Sequence, residues 1–181
     1  MTRMQARRAG FTLIELLVAM AVLSLLAGAA VFAYKKYVKD SYTSEVYAMI
    51  ASLKNAEDSY KAETGQYLST GNSETDYYPV LRSAGTEPTR KLFQPTDPRW
   101  KALGVSPPSK HIYCGYVVIA GTANNLAGAG SRGVTIFGGA APKVDWYYIR
   151  ASCDLDSNAS KDSFFETAFD RQVVYKGNVG H

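Results

Sequence analysis

From Leu16 to Tyr34 the chain carries no charged residue, and apolar side chains fill nearly every position. At ~1.5 Å of rise per residue, a helix of that length covers most of a bilayer core of ~30 Å. Beyond Tyr34 the apolar run thins to a stripe. Val46, Met49, Ile50, Leu53, Ala56 and Tyr60 recur at three- and four-residue spacing, with Lys54, Asn55, Glu57, Asp58 and Lys61 between them. Gly65 supplies a C-terminal stop. The pattern predicts one helix from about Phe11 to about Thr64, its first part (11–34) in lipid and its second (35–64) packed by the stripe on a globular head.

The next region, 66–111, holds Pro79, Pro88, Pro95, Pro98, Pro107 and Pro108, a density that excludes long helices and central strands. It reads as a variable surface loop with one short helix near Thr89–Phe93. From residue 112 to 181 the chain reads as an antiparallel sheet. Ile112–Ala120, Val134–Phe137, Trp146–Ser152 and Gln172–Tyr175 are rich in β-branched and aromatic residues, with glycine-rich turns between several of them. The fold class predicted is α+β. Gly128-Ala129-Gly130-Ser131-Arg132-Gly133 matches the spacing of a dinucleotide fingerprint, but Val134-Thr135-Ile136-Phe137 after it is strand-like and no βαβ unit surrounds it. A hairpin turn is the expectation there.

A basic stub, Arg7-Arg8-Ala9-Gly10, runs into Phe11-Thr12-Leu13-Ile14-Glu15 at the head of the apolar run. A carboxylate at the edge of a lipid-spanning segment is costly and marks function. Ala27-Gly28-Ala29 also offers the small residues of an ordinary secretory cleavage site. An ordinary apolar signal core, however, runs only ~7–15 residues and has no use for Glu15. Gly10-Phe11-Thr12-Leu13-Ile14-Glu15-Leu16-Leu17 resembles the processing site of type IV prepilins and the related pseudopilins.

That resemblance implies a leader over 1–10, cleavage between Gly10 and Phe11 by a membrane prepilin peptidase, and N-methylation of Phe11. It implies that Glu15 pairs with the amino group of Phe11 on a neighbouring subunit. A buried carboxylate is far less costly beside a well-placed cation than alone. The fold implied is type IV pilin-like, a long N-terminal helix on an antiparallel sheet head. The partners implied are other pilin subunits and an inner-membrane assembly platform. The subunit would sit in the inner membrane with its head in the periplasm, then in an extracellular filament cored by Leu13, Ile14, Leu17, Val18, Val22, Leu25 and Leu26. Lys35, Lys36 and Lys39 offset the leader arginines in a positive-inside count, so the motif rather than the charge bias orients the chain. Many major pilins carry a helix-bending proline where this chain has Phe32, a departure that leans toward a minor pilin or pseudopilin; Gly28 is the one residue there that permits local melting.

Charge alters this picture little. The 181 residues carry 20 basic and 16 acidic side chains, and removing Arg3, Arg7 and Arg8 with the leader leaves 17 against 16, a net charge of +1. Near-neutrality argues against a strong nucleic-acid footprint. The two cysteines, Cys114 and Cys153, read either as an exported disulfide, whose loop of roughly 40 residues would contribute ~3–4 kcal/mol, or as two buried thiols. The resemblance favours the disulfide. Zinc needs further ligands that His111 and the terminal His181 do not supply.

Asp154, Asp156, Asn158 and Asp162 place oxygen ligands as a calcium loop begins, but Ala159 stands where glycine belongs, and the acidic closure falls on Phe165, with Glu166 one residue late. Calcium and a solvated loop with Asx turns both fit. Asn158-Ala159-Ser160 also fits a glycosylation acceptor. No triad, general base or phosphate loop emerges, so no enzyme is expected. Three roles stay open: a filament subunit, a secretion-system pseudopilin, or a minor pilin at the tip serving adhesion or DNA uptake. The last would use an exposed cluster such as Lys91, Arg99, Trp100, Lys101 and Lys110, which reads equally as a solvated surface.

Overall fold

A computed structural model describes residues 11–80, 90–153, 163–170 and 174–177. The chain forms two compact units, Met1–Asp40 and Ser41–His181. A single helix, α1 (Leu13–Thr64), contributes to both. It ends where Gly65 takes φ +83° and donates its N–H to the Lys61 carbonyl at 2.8 Å, the left-handed stop that glycine adopts without a Cβ clash.

In the second unit the predicted stripe is the core. Val46, Met49, Ile50 and Leu53 are buried against Tyr116, Val118, Tyr147, Ile149, Ala151 and Phe165, with Ala56 and Tyr60 partly buried beside them. One residue breaks the expected pattern. Glu57, expected among the polar positions, is fully buried.

Those sheet residues come from a four-stranded antiparallel sheet of β3 (Cys114–Gly121), β4 (Trp146–Cys153), β5 (Ser163–Ala168) and β6 (Val174–Gly177), ordered β3-β4-β5-β6. The β3–β4 register runs from Cys114 opposite Cys153 to Gly121 opposite Trp146. The second face of the sheet is also covered. Val117, Ile119, Trp146, Tyr148 and Ala168 pack there with Ala129, Leu126, Ile136, Phe137 and Tyr77. Two covered faces explain why β3 and β4 read as near-continuous apolar runs rather than alternating ones.

The strand expected at Val134–Phe137 is instead part of a helix, α3 (Gly130–Ile136), and the glycine run before it is the helix entry, not a hairpin turn. Gly128 and Gly130 take positive φ at +82° and +66° to make that entry. Glu74 then accepts the Arg132 N–H at 2.9 Å and the Ser131 hydroxyl at 2.9 Å, serving the N-terminal donors of the turn. Gly133 lies so close to Tyr148 that an added Cβ would sit 2.7 Å from the ring. Contacts from distant segments thus override the strand propensity of Val134-Thr135-Ile136. A helix therefore does follow the glycines, but the flanking strands β3 and β4 are antiparallel, so there is no βαβ unit to hold a dinucleotide.

The proline-rich region is more ordered than a loop. Two short strands, β1 (Lys91–Leu92) and β2 (His111–Ile112), pair antiparallel and enclose α2 (Pro98–Leu103). The short helix expected near Thr89–Phe93 is thus misplaced; those described residues hold β1. The signal for α2 was available: Asp97 caps it by accepting the Arg99 N–H, Pro98 opens it, and Gly104 closes it at φ +65°. Phe93, Trp100 and Leu103 join the α1 core.

The remaining strand expectations shift modestly. The predicted Ile112–Ala120 strand is split between β2 and β3, Trp146–Ser152 extends to Cys153, and the strand expected at Gln172–Tyr175 lies at Val174–Gly177. β5 was not expected at all.

Candidate functional site

Helix α1 begins with a reciprocal cap. Leu13 is its first residue, so Thr12 is the N-cap and Glu15 the third helical position. The Glu15 carboxylate oxygen Oε2 accepts the Thr12 N–H at 2.9 Å and the Thr12 hydroxyl at 2.7 Å, while the Glu15 N–H donates to Thr12 Oγ1 at 3.4 Å. This is a capping box, legible in Thr12-Leu13-Ile14-Glu15 ahead of an apolar run. A carboxylate there also faces the positive end of the helix dipole. Both Thr12 donors use one oxygen, which leaves Oε1 for a cation from outside. Among the described residues no cation pairs with Glu15.

The surroundings of that carboxylate are apolar and uncovered. Phe11, Ile14, Glu15, Val18 and Ala19 line a shallow depression. Phe11 is 79% exposed, and Leu13, Ile14, Leu17, Val18, Val22, Leu25 and Leu26 are all at least half exposed. An apolar surface of this extent does not stay in water. By length and composition the helix can cross a membrane. The arrangement offers a charge-accepting notch in a surface that lipid or neighbouring helices must cover.

Residues 5–31 match the prokaryotic N-terminal methylation motif. This is the type IV pilin and pseudopilin signature. No curated protein and no solved structure matches the chain. The long N-terminal helix followed by antiparallel sheets is an α+β architecture consistent with the type IV pilin fold. The motif implies processing by a prepilin peptidase and assembly with other pilins, and it suggests a structural subunit.

The other pilin features predicted from sequence divide three ways. Cys114 and Cys153 form a disulfide, at directly opposed positions of β3 and β4 with Cα atoms 4.4 Å apart. That spacing is the closer, non-hydrogen-bonded kind of antiparallel pair. Gly10, the calcium set Asp154, Asp156, Asn158 and Asp162, and the glycosylation pattern lie outside the described residues. The two residues at the closure of that pattern are described: Phe165 and Glu166 are both buried on β5. Among the described residues no group of three or more His, Cys, Asp or Glu is placed to hold a metal.

The proposed basic and aromatic cluster is corrected. Trp100 is 2% exposed, packed edge-on to Phe93 with ring centroids 5.5 Å apart, and presents no ring to a ligand. Arg99 is engaged by Asp97 at 3.0 Å and by Asn72 at 2.8 Å. Of the set, Lys101 and Lys110 are exposed and Lys91 is half-buried.

Periodicity missed both carboxylates that are buried among the described residues. Glu166, 2% exposed, accepts from Arg150 Nε at 3.0 Å and from Arg132 Nη2 at 2.8 Å, tying α3 to the sheet. Glu57 is the other, and it has no such cation. An alternating polar residue in β5 could have flagged Glu166; nothing local flags Glu57.

Proposed function

We propose that the chain is a structural subunit of a type IV pilus-type filament. The observation that carries this reading is Glu15, a lone carboxylate at the head of an uncharged helical run directly after the Gly10-Phe11 junction. A prepilin peptidase cuts between Gly10 and Phe11 and methylates the new amine. Glu15 then turns its unused oxygen to the Phe11 amine of a neighbour, and the exposed apolar face exchanges lipid for helix–helix packing. Adhesion and twitching motility would follow from assembly and disassembly driven by a separate machine. Before assembly the subunit is held in the inner membrane with its head in the periplasm.

A second reading, a minor pilin or a type II secretion pseudopilin, is supported by one observation. α1 runs as one helix through Phe32, with no proline anywhere in Leu13–Thr64.

Intact-mass analysis of the mature protein tests the shared core of both readings. The expected N-terminus is Phe11, heavier by one methyl group, and Gly10→Leu leaves the precursor uncut in the membrane. A mature start near Ala30 means ordinary signal cleavage and overturns both.

A further inference from the structure

Two carboxylates among the described residues are buried, and their surroundings differ. Glu166 has two arginines. Glu57 has none. Its Oε2 accepts the Leu68 N–H at 2.9 Å, and its Oε1 has no hydrogen-bond partner. The groups around it are poorly suited to stabilise a charge. Asp58, its neighbour on α1, adds like charge. Tyr67, after the helix, and Tyr147, on β4, meet edge-on with centroids 4.7 Å apart. Lys61, one turn along, lies 4.1 Å over the Tyr67 ring and 3.9 Å from Asp145. Lys54, one turn back, donates to the Ala168 carbonyl at 3.1 Å.

The segment that Glu57 grips has a structural task. After Leu68, the chain closes the outer edge of β3. Thr70 donates its N–H to the Val118 carbonyl at 2.9 Å, Val118 returns its N–H to Thr70 Oγ1 at 2.9 Å, and Ala120 donates to Ser69 Oγ at 2.8 Å. The Leu68 bond is the buried tie from this strap to α1, beside the Lys61–Tyr67 contact and the Thr64 hydroxyl that donates to the Gln66 carbonyl at 3.1 Å. An isolated ionised carboxylate in such a site is costly, whereas its neutral acid leaves only one hydroxyl unserved.

We propose that Glu57 is a proton-operated latch: as the neutral acid it fastens the 66–70 strap to α1 and to the β3 edge, and loss of its proton releases the strap. Burial, reinforced by Asp58 and only partly opposed by the Leu68 N–H, pushes the Glu57 carboxyl up to about 7. Because this acid is raised in the folded state, its contribution is complete below the ordinary carboxylate range. The contribution falls away as pH rises through about 7. Release uncovers the backbone groups of Val118 and Ala120, an edge able to pair with another extended chain.

The test is amide hydrogen exchange on the full-length protein in lipid nanodiscs, at about pH 5 and about pH 8, with rates corrected for intrinsic exchange. Protection of Leu68, Thr70, Val118 and Ala120 should fall tens-fold between those pH values in the wild type, by roughly the differential ionisation of a carboxyl raised this far. Glu57→Gln, which keeps an acceptor for Leu68 but cannot ionise, should hold protection within about twofold across the range. Flat wild-type protection, or a parallel fall in the glutamine variant, overturns the latch. A second measurement needs no variant: the 13C shift of the Glu57 carboxyl should titrate near neutrality, and a midpoint in the ordinary carboxylate range overturns the proposal.

Discussion

Glu15→Val should empty the filament of this subunit while leaving its membrane content intact. Removing a charge favours lipid, so insertion should persist, and on the proposed reading the peptidase reads Gly10, so cleavage should persist too. An incoming subunit, however, would meet a Phe11 amine with no carboxylate and leave that charge unpaired in an apolar core. Breaking such a buried pair by removing one partner costs about 3–5 kcal/mol, or a hundredfold or more in incorporation. The valine also removes the capping box with Thr12, whose loss costs ~1 kcal/mol of helix stability. Glu15→Gln separates the two effects, because glutamine still accepts from the Thr12 N–H but carries no charge. Both variants should fail to incorporate, measured as subunit in sheared filaments against subunit in membranes of the same cells. Normal incorporation of the glutamine variant would mean that the cap, not the charge, is what assembly requires.

Removing the disulfide has the next largest effect. The bridge joins residues 39 apart, and the chain-entropy model gives ~4 kcal/mol for a loop of that size. Both sulfurs are buried in the α1 core, so Cys114→Ser or Cys153→Ser adds an unserved hydroxyl to the lost constraint. The paired Cys114→Ala, Cys153→Ala variant isolates the constraint. Its melting temperature should drop on the order of 10 °C, with the denaturant slope raised if the freed chain expands when unfolded. A Tm unchanged by reduction or by the double variant would show that the bridge only decorates a register already held by the sheet.

Much of α1 was legible from the sequence. Transfer to lipid demands an uninterrupted apolar run, helix capping demands Thr12 and Glu15 at fixed spacing, and a stop demands Gly65. Each is a property of adjacent residues. The apolar face of α1 in the head was legible for the same reason, since Val46, Met49, Ile50 and Leu53 repeat with the helical period.

The head divides differently. β4 announced itself because both of its faces are covered and most of its residues are apolar or aromatic, Arg150 and Ser152 aside. β5 did not, because Ser163, Glu166 and Thr167 read as surface; Glu166 turns inward only because Arg150 and Arg132 arrive from other elements. α3 did not, because Glu74 supplies its cap and Tyr148 receives its Gly133 face. Trp100 looked like an exposed recognition ring until α2 turned it onto Phe93. Glu57 looked like one more solvated position on α1 until the fold buried it and brought the Leu68 N–H to its carboxylate. The sequence alone therefore determined the membrane-length helix, its processing signature and its core-facing stripe. The tertiary structure alone decided which polar side chains are buried and which strand-like segment becomes a helix. The reason is physical: periodicity and capping act over one or two turns, whereas burying a charge or overriding a propensity depends on partners that only folding brings together.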